Sequence, residues 1–415
     1  MKLNKYSFGV GDRFGCQGAA QLKAIQMALE AGINIVPVWN KSNREHQTIH
    51  SSPEDVREEA DAAVKELNWQ GNYFVDADHI NLSTVDNFID YSDFFTLDVA
   101  DYIGKTADGN EIKQFLDKNK QYVGKLHIPG IDEPYTITED VLKEIAHKFL
   151  FAAKEASKIY QHIAAKKGAE NFIPEVSMDE VKAPQTPVEL FFILSALDMY
   201  KVPAQTIAPK FTGRFNKGVD YVGDAEQFRR EFEEDLLVID FAIKEFGLPD
   251  NLKLSIHSGS DKFTIYPIMG ELIKKYDKGI HVKTAGTTWL EEMIGLAMAG
   301  DEALDLAKSI YRKGYERKEE LCGPYATVID IDYDNLPSPD EVAGWSSEKF
   351  EHSLRHIPGH PEYNPNFRQL IHVAYKVAAE YSNVYINMIQ GNADIVGKQV
   401  TENIYDRHIK RLFSF

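Results

Sequence analysis

Leu254-Ser255-Ile256-His257-Ser258-Gly259-Ser260-Asp261-Lys262 reads as a short buried strand that runs into a polar turn. The strand ends on a histidine, and the turn opens a helical pattern. Two other stretches end in the same way: Phe74-Val75-Asp76-Ala77-Asp78-His79 and Ile173-Pro174-Glu175-Val176-Ser177-Met178-Asp179. Apolar strands with acids and imidazoles at their carboxyl ends are how a parallel barrel builds an active site.

Working outward, short apolar runs alternate with helical patterns through roughly the first 300 residues, the signature of βα units on a parallel sheet. The runs are Tyr6–Val10, Ile33–Val38, Tyr73–Val75, Phe94–Val99, Phe172–Met178, Thr206–Phe211, Leu252–Ile256 and Ile280–Thr284. Helical patterns fall between them, including Leu82–Ile89, Glu139–Lys166, Val188–Met199, Ala225–Phe246 and Trp289–Ala299. Eight parallel strands can close and so remove both sheet edges. The expected fold is therefore an α/β class (β/α)8 TIM barrel over residues 1–300. The competing open, doubly wound sheet needs a glycine-rich phosphate turn after its first strand. Gly9-Val10-Gly11-Asp12-Arg13-Phe14-Gly15 only faintly imitates one, because Asp12 and Arg13 block approach to a pyrophosphate.

The rhythm breaks over about 104–138, read as an insertion after strand four with a helix (Glu111–Asn119) and a hairpin (Lys125–Ile128 with Tyr135–Ile137). Residues 301–415 read as a helical extension packed on the barrel, since no flexible linker precedes them. Its clearest helices are Leu304–Arg317 and Phe367–Glu380.

The chain has 415 residues, and Lys plus Arg against Asp plus Glu gives 46 − 64 = −18. That charge disfavours nucleic acid as a partner but leaves room for a small anion held by local cations. Two cysteines far apart make neither a disulfide framework nor a cysteine-rich zinc site. The opening Met1-Lys2-Leu3-Asn4-Lys5-Tyr6 lacks the apolar core of a secretory signal, and no apolar run is long enough to span a membrane. The expectation is a cytoplasmic protein with no membrane partner; oligomeric state is not legible.

In a barrel, His79 and His257 face one mouth. Imidazoles from different strands, joined by carboxylates, suit a divalent cation such as Zn²⁺ or Mn²⁺. One isolated histidine is more often structural; two at matching strand ends with acids beside both shift the balance toward a metal. Strand alternation puts Asp76 and Asp78 on one side and His79 on the other, so Asp78 and His79 serve together only if the strand breaks between them. Glu175 and Asp179 form a second acidic cluster, with Asp179 as readily a helix cap. His281 begins its strand and reads as core. Candidates for substrate binding are Asp12, Arg13, Lys210, Lys217, Ser258, Asp261, Lys262 and Lys283. His352, His356 and His360 read as loop residues, and His372 as reaching toward the mouth.

These motifs together resemble the tagaturonate/fructuronate epimerase family of hexuronate metabolism. The resemblance is carried by Ser7-Phe8-Gly9-Val10-Gly11-Asp12-Arg13, Asp76-Ala77-Asp78-His79, Glu175-Val176-Ser177-Met178-Asp179-Glu180, His257-Ser258-Gly259-Ser260-Asp261-Lys262-Phe263, His281-Val282-Lys283-Thr284-Ala285-Gly286-Thr287 and Arg368-Gln369-Leu370-Ile371-His372-Val373. It implies a barrel, a divalent metal cofactor and inversion at C4 of a ketohexuronate, a small sugar-acid substrate. It further implies Asp78 as proton acceptor, Glu175 as proton donor, and His79 and His257 as metal ligands, with no third ligand assigned. One departure is that this chain starts almost at the Ser-Phe-Gly motif, where family members carry a substantial preceding segment. Because C4 is not adjacent to the ketone, its proton is not acidified, and breaking C3–C4 by retro-aldol is the easier chemistry. A metal-dependent aldose–ketose isomerase using the same groups is the alternative.

Overall fold

The computed structural model describes residues 1–284 and 286–413. Eight parallel strands close into a barrel: β1 (Tyr6–Val10), β2 (Ile35–Ser42), β3 (Phe74–Ile80), β4 (Phe94–Asp98), β7 (Ile173–Ser177), β8 (Thr206–Ala208), β9 (Lys253–His257) and β10 (Ile280–Lys283). Around the barrel they run β1-β10-β9-β8-β7-β4-β3-β2. The other two, β5 (Gly124–Leu126) and β6 (Tyr135–Ile137), form an antiparallel hairpin in the segment after β4. Among the described residues no helix is long and apolar enough to cross a membrane.

Alternation along each strand explains how one barrel holds both a core and a site. Leu3, Val36, Val38, Phe74, Phe94 and Ile173 form a small apolar cluster of their own. Two residues further along the strands, the same inward side carries Asp76, Thr96 and Glu175, all buried. His281 sits between these layers, its ring 5.2 Å from that of Phe94 and its Nδ1 2.9 Å from Ser7 Oγ. Burial lowers its pKa to about 3, as befits a neutral core histidine. The outward faces pack against the helices in the main core.

Several strand limits differ from the sequence reading, for one physical reason. β2 and β3 extend through Lys41, Asp76 and Asp78, where charged residues had suggested strand ends. Inside a closed barrel, polar residues stay in the ladder when ionic partners satisfy them. Between β3 and β4 only the 3₁₀ turn Val85–Asn87 forms, not the expected helix Leu82–Ile89. The expected helix Phe367–Glu380 is two, Pro365–Val373 and Tyr375–Tyr381.

Helix Thr287–Ala299 joins barrel to extension. It is buried along nearly its whole length and lies in a second core with Leu304, Ile310, Phe350, Phe367 and Val396. A Cβ at Gly295 would lie 2.8 Å from the Val396 Cα, so the backbones meet too closely for any side chain there.

At the opposite end from the mouth, Lys253 opens β9 and its Nζ donates to the Asn4 carbonyl at 2.6 Å. Burial pulls this lysine down to about 7. Between that value and the unfolded-chain value of ~10.4, the native state binds fewer protons than the unfolded chain, so stability rises with pH in that window. Lys253→Met is expected to reduce that rise, read from urea midpoints across the window; an unchanged slope would contradict it.

Candidate active site at the barrel mouth

The inner polar layer is organised around Lys283 at the end of β10. Its Nζ lies 2.7 Å from Asp76, 2.9 Å from Asp78 and 3.0 Å from Glu175, and it also donates to Thr96 Oγ1. The four partners come from β3, β4 and β7. Glu175 also accepts from Thr206 Oγ1 at 2.7 Å and from Thr96 Oγ1 at 3.2 Å. Burial pushes the Asp78 carboxyl up, but the Lys283 ammonium and the His79 imidazole outweigh it and hold the group at about 2. Glu175 is likewise held well below the usual carboxylate range, against burial, by Lys283 and by the His257 hydrogen bond. For Asp76 burial wins over Lys283, and its pKa rises to about 7. Lys283 itself is raised well above an ordinary lysine by the three carboxylates, despite burial.

One layer nearer solvent lie His79, Asp179 and His257, with one ligand atom from each within 4.8 Å of the others. The backbone makes this possible. His79 has φ +50, in the left-handed region, and the β3–β4 register shifts between Ala77 and Ile80. That irregularity breaks the alternation, so the imidazole swings to the side of Asp78 and its Nε2 lies 3.8 Å from Asp78 Oδ1. The geometric condition set by the sequence is met by a bulge within the strand.

His257 Nε2 lies 2.9 Å from Glu175 Oε1, while its Nδ1 faces Asp179 at 3.0 Å. Neither His257 Nδ1 nor His79 Nδ1 makes a well-formed hydrogen bond, though both are buried. Burial lowers both imidazoles, but the carboxylates win: Asp78, Asp98 and Asp179 hold His79 well above the ordinary value, and Asp179 and Glu175 hold His257 at about 9. The carboxylates thus demand positive charge at this point. Orphaned imidazole nitrogens beside a carboxylate, with the far nitrogen of His257 anchored on Glu175, fit a divalent cation.

A model of the family described as "UxaE: tagaturonate epimerase" matches residues 1–412. The chain belongs to the tagaturonate epimerase family. A tagaturonate/fructuronate epimerase from Thermotoga maritima is 28% identical over 421 residues, covering 98% of this chain and 80% of that protein. The fold is shared with the fructuronate-tagaturonate epimerase UxaE from Cohnella laeviribosi. Its structure with one glycerol has a TM-score of 0.82 at 23% identity, covering 99% of this chain and 82% of that one. Its native form gives 0.80.

In this epimerase the structure brings some of the residues read from sequence together and not others. Asp78, His79, Glu175, His257 and Lys283 come together at the mouth. Asp12, Asp261 and Lys262 are turned inward instead. Asp12 accepts backbone N–H groups of Phe14, Gly15, Cys16 and Gln17, fixing the loop after β1. Asp261 is buried against Arg368 Nη2 at 2.6 Å and His356 Nδ1 at 3.0 Å, with His408 Nε2 3.4 Å away. Lys262 Nζ donates to the carbonyls of Asn216 and Val219 at 2.9 and 2.7 Å. In the structure the side chains of these three hold loops in place through contacts to the protein. Ser258 Oγ likewise donates to the Lys283 carbonyl at 2.7 Å, fixing β9 to β10.

Arg13 is paired with Glu45 at 3.2 Å, donates to the His372 carbonyl at 2.9 Å and lies over the Tyr375 ring. His372 therefore does meet the loop after β1. Lys210 and Lys217 are partly exposed in the loop after β8. His352 lies in helix Ser347–Leu354 and not in a loop, whereas His356 is in the loop that follows, buried there. Of the motif His281–Thr287, Ala285 lies outside the described residues, as do 414–415 of the extension.

Sequence reasoning left out Thr96 and Thr206, named Asp76 beside Asp78 without giving it a role, and left Asp179 undecided between cap and site. The available signal was phase: Asp76, Thr96 and Glu175 each follow an inward apolar residue by two positions, in Phe74, Phe94 and Ile173.

Proposed function

We propose that this epimerase interconverts D-tagaturonate and D-fructuronate by inverting C4, through cleavage and re-formation of C3–C4. The observation that carries the reading is the pairing of an ionised Asp78 with a three-ligand cluster one layer above it. His79, His257 and Asp179 would hold a divalent cation, which supplies Lewis acidity toward the substrate ketone when bound. Asp179 is the third ligand in this scheme.

Asp78 takes the proton from the C4 hydroxyl, and the bond to C3 then breaks. Lys283 keeps Asp78 ionised and ready for this, at the energetic cost of burying a charge. The aldehyde half turns over and recombines on its other face, regaining a proton at the C4 oxygen. Glu175 accepts from Thr96, Thr206, His257 and Lys283, so it rests ionised and must gain a proton before it can give one. Lys283 contacts both carboxylates and is the route we assign for that transfer.

The test is product analysis by NMR from each sugar acid after chelation and after adding back Zn²⁺ or Mn²⁺. Chelation is expected to stop interconversion and metal to restore it, with inversion at C4 and no shift of the carbonyl. A carbonyl that moves between C1 and C2 would point to an aldose–ketose isomerase. His257→Ala is expected to lose bound metal, measured by emission spectroscopy; full metal retention would remove His257 from the ligand set.

A further inference from the structure

A chain with net charge −18 repels an anionic sugar in bulk, so any anion it binds needs local cations. Most cations near the mouth are already committed. Lys283 holds three carboxylates, Arg13 holds Glu45, Arg368 holds Asp261, and Lys262 holds two carbonyls. Three others are different. Arg44, Lys217 and Lys376 have no carboxylate at ion-pair distance among the described residues, yet all three converge on Tyr325. The Arg44 guanidinium carbon and Lys217 Nζ each lie 6.0 Å from its ring centre, and Lys376 Nζ lies 5.0 Å away.

Their origins matter. Arg44 lies just after β2 and Lys217 lies in the loop after β8, and these strands stand on opposite sides of the closed barrel. Lys376 comes from the extension, in helix Tyr375–Tyr381. A ring reached from both sides must lie across the mouth. Tyr325 is 6% exposed and its hydroxyl is 3.1 Å from that of Tyr375, so the roof is a fixed surface. The Lys217 backbone is fixed too: its N–H donates to the Val328 carbonyl at 2.8 Å, and the next N–H to Gly259 at 3.0 Å.

We infer that Arg44, Lys217 and Lys376, grouped around Tyr325 over the barrel mouth, take the carboxylate of the sugar acid. This assignment rests on the proposed function for the identity of the acid. Three unpaired cations around one ring repel one another, and a carboxylate relieves that repulsion while offering two oxygens to their donors. A ketohexuronate carries its carboxylate at the end remote from its ketone. The acid end therefore points to the roof and the ketone end down to His79, His257 and Asp179. The same cluster gives selectivity for the acid over the uncharged ketose.

Calorimetric titration of the metal-loaded enzyme with D-fructuronate and with D-fructose, its uncharged counterpart, tests this. Lys217→Gln, Lys376→Gln and Arg44→Gln are each expected to weaken fructuronate roughly tenfold and to leave fructose unchanged. Melting temperatures should match the wild type; should one variant misfold, raising KCl on the wild type should weaken fructuronate alone. Equal affinity of the wild type for both sugars, or unchanged fructuronate binding in all three variants, overturns the carboxylate site. Tight fructuronate binding without epimerisation leaves the site standing and defeats the proposed reaction, whereas binding of neither sugar defeats both.

Discussion

Asp78→Asn is expected to lower kcat by about 10²–10⁴-fold while leaving bound metal unchanged. The side chain keeps its size and its place beside Lys283, but an amide cannot accept the C4 hydroxyl proton. Lys283 retains Asp76 and Glu175 as partners, so the inner layer stays assembled. His79, His257 and Asp179 are untouched, so metal content separates loss of the base from loss of the site. NMR rates in both directions, with metal measured on the same sample, decide it. A variant that keeps both metal and activity would place the base elsewhere, and loss of metal would mean that Asp78 supports the ligand cluster.

Lys283→Met should have the largest effect on stability. It removes the one cation that Asp76, Asp78 and Glu175 share inside the barrel, leaving Asp76 with no cation and Asp78 and Glu175 with only the imidazoles of His79 and His257. Breaking a buried ion cluster from one side costs about 3–5 kcal/mol. The variant is expected to unfold at markedly lower urea and to lose turnover with it. Adding Asp76→Asn should recover part of the loss, because Asp76 is buried and has the highest pKa of the three. If Lys283→Met unfolds at the wild-type urea midpoint, the carboxylates are neutralised by other means and the ionised Asp78 loses its support.

The closed barrel was legible because closure needs only eight apolar runs at regular spacing, and Leu254–Ile256 is typical of them. Strand ends were less legible, since Asp76 and Asp78 look like turn residues until a lysine from β10 is known to face them. That lysine is far away in sequence, and local patterns carry no information about such pairing. The same distance hid the purpose of Asp261 and Lys262, which looked like a ligand-holding turn but serve Arg368 and the loop after β8. The roof residue Tyr325 carried no sequence signal, because it acquires meaning only where three cations from three separate segments surround it. His79 was half legible: its ligand chemistry was evident, but its left-handed backbone was not.

The ion cluster at Asp261 also bears on the order in which the protein can be completed during synthesis. Its partners Arg368, His356 and His408 all follow it in the chain, and His408 lies close to the end of the described residues. At ~5–20 residues per second, the ribosome delivers His408 roughly seven to thirty seconds after Asp261. Until Arg368 arrives, the turn after β9 carries a carboxylate without the guanidinium it is buried against, and the set of partners is complete only with His408. The barrel can collapse early, but the turn that carries His257 into the mouth becomes rigid only when the last helical turns arrive.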